Sequence, residues 1–383
     1  MSSARFRRLL DGVAPLPSGV GRLRAEVREF LAAQDAGGVG VRCDNWHIGF
    51  DPAFSRRVAE RGWIGMTWPT AFGGGGRSAV ERLVVAEELV AAGMPLAAHW
   101  VGDRQVGPSI LRLGSLAQQQ KFLPEIAAGG SFFAIGMSEP DVGSDLASVK
   151  TRAIRGDGGW VLNGTKIWSS HAHRCHYMIV LARTSPRTEA RHDGLSQFIV
   201  ALDAPGVQVR PIRQLDGSHH FNEVRFSDVA LGGGDVLGQV GEGWAQVTAD
   251  LAFERSGPER FLSTFVLVRE VLDRVADLGV ERDHPMQEVL ARIHGLRILA
   301  YSVARQIDRG EPPTLSASLV KDLGTALELR SVFESAQIAA RTPPGSRLTT
   351  LYRDAVKLSP SFTLRGGTSE VLRTVIAREL LDG

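Results

Sequence analysis

The sequence predicts a multidomain α+β protein in which a helical segment is followed by a β domain and then by a helical bundle. Two observations support this prediction. Apolar residues recur at helical spacing before residue 130 and after residue 240, and short β-rich runs separated by Gly, Pro and Asp fill the region between. With 383 residues, the chain is long enough for two or three domains. We expect an N-terminal helical domain at 1–130, a middle β domain (barrel or sandwich) at 131–238, and a C-terminal bundle of four helices at 239–383.

Two helices of the first segment show clear boundaries. In SAVERLVVAEELVAAGM, Ser78 and Glu81 form a capping-box pattern before apolar positions at helical spacing, and a glycine follows the last of them. The run SLAQQQKFLPEIAAGG is a shorter helical pattern that also ends in glycines.

The middle segment is predicted from short β-rich runs, and the last segment is predicted from runs whose apolar residues recur at helical spacing. The predicted strands of the middle segment are GGWVLNGTKIWSS, YMIVLAR, SQFIVAL, VQVRPI and NEVRFSDVAL. The predicted helices of the last segment are FLSTFVLVREVLDRVADLG, MQEVLARIHGLRILAYSVARQIDRG, ASLVKDLGTALELRSVFESAQIAAR and EVLRTVIARELL.

Composition excludes several classes of protein. A net charge of +2 gives no general affinity for nucleic acid or membranes, and no run of about 18 apolar residues predicts a membrane span. The two cysteines, Cys43 and Cys175, form neither a CxxC motif nor a disulfide framework. We therefore expect a cytoplasmic protein; an organelle transit peptide at the basic N-terminus is the alternative.

Three weaker motifs favour ordinary structural explanations. FGGGG at 72–76 lacks the GK[ST] ending of a phosphate-binding loop, so a helix–helix loop is the expectation. In SSHAHRCHYM, an extended chain would place His171 and His173 on one face and His176 on the other, so no metal site is expected. No GxSxG motif is present, which leaves nucleophilic catalysis without support.

Two polar loops favour ligand binding. The run AIGMSEPDVGSDLASVKT at 134–151 carries Ser138 and Ser144 where helix gives way to sheet, and it exposes hydroxyls and backbone N–H groups. Trp168, followed by two serines, could pack a flat ring and bond its edge; a core tryptophan is the alternative. Near the C-terminus, the glycine pair of LRGGTSEVLR allows close approach to a ligand but provides no acid, base or nucleophile.

These runs resemble three motifs of the acyl-CoA dehydrogenase family. MSEPDVGSD resembles its [TS]EPxxGSD signature, NGTKIWSSHA its NGxKxWIT strand, and LRGGTSEVLRTVIARELL its C-terminal EGTSxIxRxxIAR segment. The resemblance spans 20–383 and implies an acyl-CoA dehydrogenase-like fold, bound FAD, oxidation of an acyl-CoA to a trans-2-enoyl-CoA, and a homotetramer.

The resemblance also implies roles for individual residues. FAD would be contacted by residues from the β domain and from the C-terminal loop: Ile135, Met137, Ser138, Ser144 (at the pyrophosphate), Trp168, Ser170, Thr368 and Glu370. Arg282 and Gln337 would reach FAD from a neighbouring subunit, although Pro285-Met286 replaces the usual Phe-Gly and Ala340 and Arg341 replace two glycines. The substrate would be contacted by Ser144, Arg255, Arg365 and Gly367, and a surface or inter-helix salt bridge is the alternative for Arg365.

The position of the general base departs from the commoner pattern. Many members place a carboxylate immediately before the Gly-Thr of the C-terminal loop, where this chain has Gly366. Some branches place it in a helix as Glu-Arg, which resembles Glu254 and Arg255 here. We expect Glu254 to be the base, with Glu259 and Glu242 as weaker candidates.

The function expected from the resemblance is an FAD-dependent acyl-CoA dehydrogenase of fatty acid metabolism, with an electron-transferring flavoprotein as oxidant. The alternatives are an acyl-CoA oxidase, an acyl-carrier-protein dehydrogenase, and a non-catalytic partner subunit of a heterotetramer. The expected assembly is a homo-oligomer, a dimer or tetramer, unless such a partner exists.

Overall fold

A computed structural model describes residues 14–35, 40–186, 188–215, 217–254, 257–277 and 285–381. For residues 35, 249–254, 276 and 277 it describes the backbone only. Within these ranges, helices occupy both ends of the chain and strands the middle, as the sequence predicts.

Seven α-helices precede the first strand among the described residues. They are α1 (Val20–Asp35), α2 (Asn45–Ile48), α3 (Pro52–Glu60), α4 (Ala79–Ala91), α5 (Ala97–Val101), α6 (Gly107–Leu113) and α7 (Leu116–Ala127), with a π-helical stretch at Gly102–Val106. The predicted capping box is confirmed, because Ser78 Oγ accepts the Glu81 N–H at 3.2 Å and the Glu81 carboxylate accepts the Ser78 N–H at 3.0 Å.

Eight strands form one mixed sheet. They are β1 (Phe133–Gly136), β2 (Arg152–Gly156), β3 (Gly159–Ser170), β4 (Tyr177–Arg183), β5 (Leu195–Ala201), β6 (Val207–Ile212), β7 (Phe221–Leu231) and β8 (Val236–Leu237). The strand order is β6-β7-β3-β2-β4-β5-β8, and β1 pairs parallel with β4. The five predicted strands are confirmed, whereas β1, β2 and β8 are additional.

Six helices follow the sheet among the described residues. They are α8 (Gly243–Glu254), α9 (Phe265–Asp277), α10 (Met286–Asp308), α11 (Thr314–Ala340), α12 (Arg347–Leu358) and α13 (Ser369–Leu381). The four predicted helices correspond to α9, α10, α11 and α13. Helix α12 is strongly amphipathic but was not among the predictions; it buries Leu348, Leu351 and Ala355.

Contacts divide the chain into two compact units. The first consists of 1–49, 77–96 and 252–383, and the second consists of 50–76 and 97–251. The first unit contains α1, α2, α4 and the helices α9 to α13, with α11 packed against α10, α12 and α13, and most of α8 belongs to the second unit. The second contains the sheet and the remaining N-terminal helices. The three-domain division at 130 and 238 stays a prediction.

The second unit has a core built on one face of the sheet. Its buried members include Leu162, Val180, Phe198, Val224 and Phe226. Strand β4 is buried along almost its whole length, which explains why its sequence is a continuous apolar run rather than an alternating one. This unit contains the AIGMSEPDVGSDLASVKT run and Trp168, whereas the glycine loop LRGGTSEVLR belongs to the first unit.

Candidate active site

A buried ion pair joins the first two motifs within the sheet-containing unit. Lys166, from NGTKIW, is fully buried in β3, and its Nζ lies 2.8 Å from Oε1 of Glu139, from SEPDVGSD. The same ammonium group donates to the carbonyl of Met137 at 3.0 Å. The Glu139 carboxylate also accepts the N–H groups of Lys150 at 2.7 Å and Thr151 at 2.9 Å. The ion pair with Lys166 and the hydrogen bonds from Lys150 and Thr151 therefore fix the segment that follows β1.

Both members of this pair are charged at neutral pH. Burial lowers the pKa of Lys166 to about 8, although the negative charge of Glu139 opposes that shift. Burial alone would raise the pKa of Glu139, but attraction by Lys166 and the hydrogen bonds that it accepts outweigh burial, so its pKa is lowered. Lysine and glutamate are rarely buried unless they are paired. The lysine within the β-rich run GGWVLNGTKIWSS was the signal that sequence reasoning missed.

Trp168 lies at a bulge that turns its ring outward. The pairing of β3 with β7 shifts register between Lys166 and Ser169, and Trp168 has a φ of 59°. This left-handed conformation is strained for an aromatic residue, and such strain concentrates at functional sites. The Trp168 side chain is 53% exposed and makes an edge contact with Phe221, with the ring centres 5.8 Å apart. Trp168 is therefore not a core tryptophan, which was the alternative interpretation of the sequence.

The remaining β-domain candidates lie near this bulge or in the following loop. Ser138 is half-buried, and its carbonyl accepts the N–H of Ile167 at 3.0 Å, which joins the end of β1 to β3. Ile135, Met137 and Ser170 are also half-buried. The structure therefore brings Met137, Ser138 and Trp168 together. Ser144 is exposed in the loop after Pro140.

This arrangement suits a flat heteroaromatic ring. Trp168 provides an exposed aromatic face, and the hydroxyls of Ser138 and Ser170 provide groups that can bond nitrogen and oxygen atoms at the edge of a ring. Ser169 is buried, and its Oγ has no hydrogen-bond partner among the described residues. The donor set therefore fits a flavin.

The glycine loop lies in the helical unit. Gly366 and Gly367 have φ values of 66° and 93°, which ordinary side chains rarely adopt. Helix α13 then begins at Ser369 with Glu370 in its first turn, as predicted, and Thr368 Oγ1 accepts the N–H of Val371 at 3.4 Å. Thr368 and Gly367 are half-buried and Glu370 is exposed. A glutamate at 366 would be strained, so this loop favours a base from elsewhere.

The three candidates for the general base differ in their exposure and in how much of each residue the structure describes. Glu254 is the last residue of α8, and only its backbone is described. Glu259 is buried, with its Oε1 3.4 Å from Nε of Arg260, so its carboxylate is engaged in an ion pair. Glu242 is exposed. Arg255 lies outside the described residues.

The residues predicted to reach FAD from a neighbouring subunit stay predictions. Arg282 lies outside the described residues, and Gln337 is exposed near the end of α11. Arg365 contacts Asp44 through its guanidinium group, an ion pair between separate segments of the helical unit, which is the alternative that the sequence left open.

The described residues contain neither a candidate metal site nor a candidate membrane-spanning helix. No group of three or more His, Cys, Asp or Glu side chains in that part of the chain could hold a metal ion. The described helices include none that is both long and apolar enough to cross a membrane. Cys43 and Cys175 are free thiols, and burial raises the pKa of both, which disfavours the nucleophilic thiolate form.

Comparison with known proteins gives the same assignment along the chain. Family models described as the N-terminal, middle and C-terminal domains of acyl-CoA dehydrogenase match residues 21–130, 134–229 and 241–381. Acyl-CoA dehydrogenase IpdE1 of Mycobacterium tuberculosis is 34% identical over 384 residues, which cover 94% of this chain and 97% of that protein. Acyl-CoA dehydrogenase FadE29 of the same organism is 32% identical over 374 residues, covering 93% and 95%.

Solved structures agree with this assignment. The Tcur3481-Tcur3483 steroid ACAD has a TM-score of 0.86 and 29% identity, covering 96% of this chain and 98% of that one. The ChsE4-ChsE5 complex from Mycobacterium tuberculosis has a TM-score of 0.79 and 28% identity, with the same two coverages. On these matches, the chain belongs to the acyl-CoA dehydrogenase family of FAD-dependent oxidoreductases.

Proposed function

We propose that this chain oxidises the Cα–Cβ bond of an acyl-CoA thioester to a trans-2-enoyl-CoA, with Glu254 as the general base. The observation that carries the proposal is the exposed, strained Trp168 beside Ser138, which forms a surface suited to the flavin ring of FAD. Lys166, which is paired with Glu139, supports that surface by donating a hydrogen bond to the carbonyl of Met137.

The reaction sets two requirements for the protein. A carboxylate must accept the proton from Cα, and hydrogen bonds must stabilise the charge that develops on the thioester oxygen. Bound FAD would accept the hydride from Cβ. Gly366 has no side chain with which to act, and Glu254 is the carboxylate that the family resemblance assigns to this role.

The remaining assignments rest on the family resemblance. Ser138, Ser170, Thr368 and Glu370 would contact the flavin, and Ser144 and Gly367 would contact the substrate. Arg255, Arg282 and Gln337 keep the roles expected from the sequence. An electron-transferring flavoprotein would reoxidise the enzyme, and the cytoplasmic location stays a prediction.

The test compares Glu254→Gln with Glu242→Gln, whose carboxylate is exposed and close in sequence. Purified protein should be yellow, and an acyl-CoA added without oxygen should bleach it. We expect Glu254→Gln to retain flavin but to lose about 10²- to 10⁴-fold in turnover, the range for removal of a general base. Glu242→Gln should behave like the wild type. Unchanged turnover in Glu254→Gln would remove Glu254 from the mechanism.

The choice of substrates should include bulky thioesters. One of the similar solved structures is that of a steroid ACAD, so the panel should contain straight-chain, branched and steroid-type acyl-CoAs. Oxygen consumption without another acceptor identifies an oxidase. Activity on carrier-protein thioesters instead of acyl-CoAs identifies a carrier-protein dehydrogenase.

A second candidate function is that of one subunit in a heteromeric dehydrogenase. Ala340 and Arg341 replace two glycines of the family's adenine-side loop, and the similar ChsE4-ChsE5 structure is a complex of two proteins. A chain that purifies colourless, and that binds FAD only when a partner chain is added, would favour this candidate over a homo-oligomer.

A further inference from the structure

Arg365 lies at the centre of a buried polar cluster in the helical unit. Its Nη1 contacts the Asp44 carboxylate, its Nη2 lies 3.2 Å from Ser263 Oγ, and the same Nη2 lies 3.7 Å from Glu328 Oε2. Asp44 and Glu328 are 1% and 0% exposed, and the Arg365 side chain is 10% exposed. Arg365 therefore connects three segments that are distant in sequence.

The cluster depends on the planar shape of the Arg365 guanidinium group as well as on its positive charge. The Arg365 guanidinium centre lies 4.9 Å from the ring centre of Trp46 and 4.8 Å from that of Phe362. A planar group that donates from two nitrogens and packs against aromatic rings cannot be replaced by a lysine ammonium.

The partners of Arg365 are held in place without it. Ser263 Oγ accepts the indole N–H of Trp46 at 2.9 Å, and the Ser263 carbonyl accepts the Asp44 N–H at 2.8 Å. The Glu328 carboxylate accepts the Ser263 N–H at 2.8 Å. Arg365 is therefore anchored to a fixed structure.

Arg365 is also the last residue before the glycine pair. Its own N–H donates to the Ser361 carbonyl at 3.2 Å, and Thr368 caps the helix that follows. Only Gly366 and Gly367 lie between these two anchors, and glycine has more backbone freedom than any other residue. The conformation of the pair therefore depends on where Arg365 is held.

The charges in the cluster favour a single ion pair. Burial alone would raise the pKa of Asp44, but Arg365 and His47 outweigh it and lower that pKa, so Asp44 is ionised. Burial raises the pKa of Glu328 to about 7, so this carboxyl is largely protonated in mildly acidic solution. Arg260 also faces His47, and its positive charge helps to lower the pKa of that histidine.

We propose that Arg365 is a positioning residue, which holds the Gly366–Gly367 loop in one conformation by attaching it to the buried Asp44–Ser263–Glu328 cluster. Its guanidinium group acts on the protein, and its effect on the reaction passes through the loop. The effect on turnover, though not the attachment itself, rests on the proposed function.

Hydrogen–deuterium exchange tests the attachment directly. Arg365→Lys keeps the charge but loses the planar fork, and Asp44→Asn keeps a residue type that tolerates the left-handed backbone at φ 56° but removes the negative charge. The control is Arg373→Lys, whose ion pair with Asp322 has its arginine 66% exposed.

Both test variants should exchange about tenfold faster across residues 362–372, because a charge-assisted hydrogen bond no longer holds the loop. Exchange in helix α10 should not change, and Arg373→Lys should match the wild type. The double variant Arg365→Lys/Asp44→Asn should exchange no faster than Arg365→Lys alone, since the contact between Arg365 and Asp44 is already lost in that variant. Unchanged exchange at 362–372 overturns the proposal, and so does an equal increase throughout the helical unit.

Turnover separates this inference from the proposed function. If both hold, Arg365→Lys lowers kcat by about tenfold or more with a smaller change in KM, because the loop and not substrate affinity is disturbed. Faster local exchange with unchanged kcat supports the attachment but removes the loop from the proposed site. A wild-type protein that no acyl-CoA bleaches refutes the proposed function, while the exchange result still decides the role of Arg365.

Discussion

Replacing Glu328 with glutamine should change how the stability of the helical unit depends on pH. Glu328 lies within α11, is fully buried, and contacts the Ser263 N–H and Arg365. Burial raises its pKa from 4.5 to about 7, although Arg365 and Ser263 oppose the shift. The group therefore takes up a proton on folding.

The sign and size of the effect follow from this shift. A carboxyl whose pKa is raised on folding contributes its full stability below pH 4.5 and loses that contribution as the pH rises through about 7. Because one pKa unit corresponds to about 1.4 kcal/mol, the contribution lost between these limits is about 3 kcal/mol. Glutamine carries no proton to lose and can still accept the Ser263 N–H.

Urea unfolding of the wild type and of Glu328→Gln at pH 5, 6, 7 and 8.5 measures the effect. The difference in unfolding free energy between the two proteins should shift by about 3 kcal/mol in favour of the variant as the pH rises. Glu26→Gln, on an exposed position of α1, is the control and should give a constant difference. A constant difference for Glu328→Gln, or a shift in favour of the wild type, would refute the argument that burial dominates at Glu328.

Two further substitutions test the sheet-containing unit. Lys166→Met should lower the free energy of unfolding in urea by about 3–5 kcal/mol, because it leaves Glu139 buried without a counter-charge. The double variant Lys166→Met/Glu139→Gln should recover part of that stability. Equal losses of stability in the single and double variants would contradict this reasoning. Gly136→Ala should cost about 1–3 kcal/mol, because the new Cβ would lie 2.2 Å from Met178 Cε, and Met178 is fully buried and must shift within a packed core. An unchanged melting temperature would show that Met178 moves away freely.

Much of the fold was predictable because many of its helices and strands follow local patterns of apolar and capping residues. The capping box of α4, the buried run of β4 and the amphipathic helices α9 and α10 each satisfy a periodic or capping rule that is visible in the sequence. Strands β1 and β2 were missed because each is short, four and five residues long.

The candidate site was predictable in its residue types but not in what supports them. Trp168 and Ser138 are visible in sequence motifs. Their relation to one another depends on Lys166, which lies 27 positions beyond Glu139 in the sequence. No local rule predicts that these two charges pair, because the pairing exists only once β3 and the end of β1 are adjacent.

The sequence by itself determined the order of helices and strands, the family, and the glycine loop that lacks a carboxylate. Only the tertiary structure decided what Arg365 contacts. Periodicity and motifs describe neighbours along the chain, but Arg365 meets Asp44 321 positions away, inside a cluster where burial sets the energy of each charge. A buried charge is stable only beside its partner, and that partner is chosen by packing.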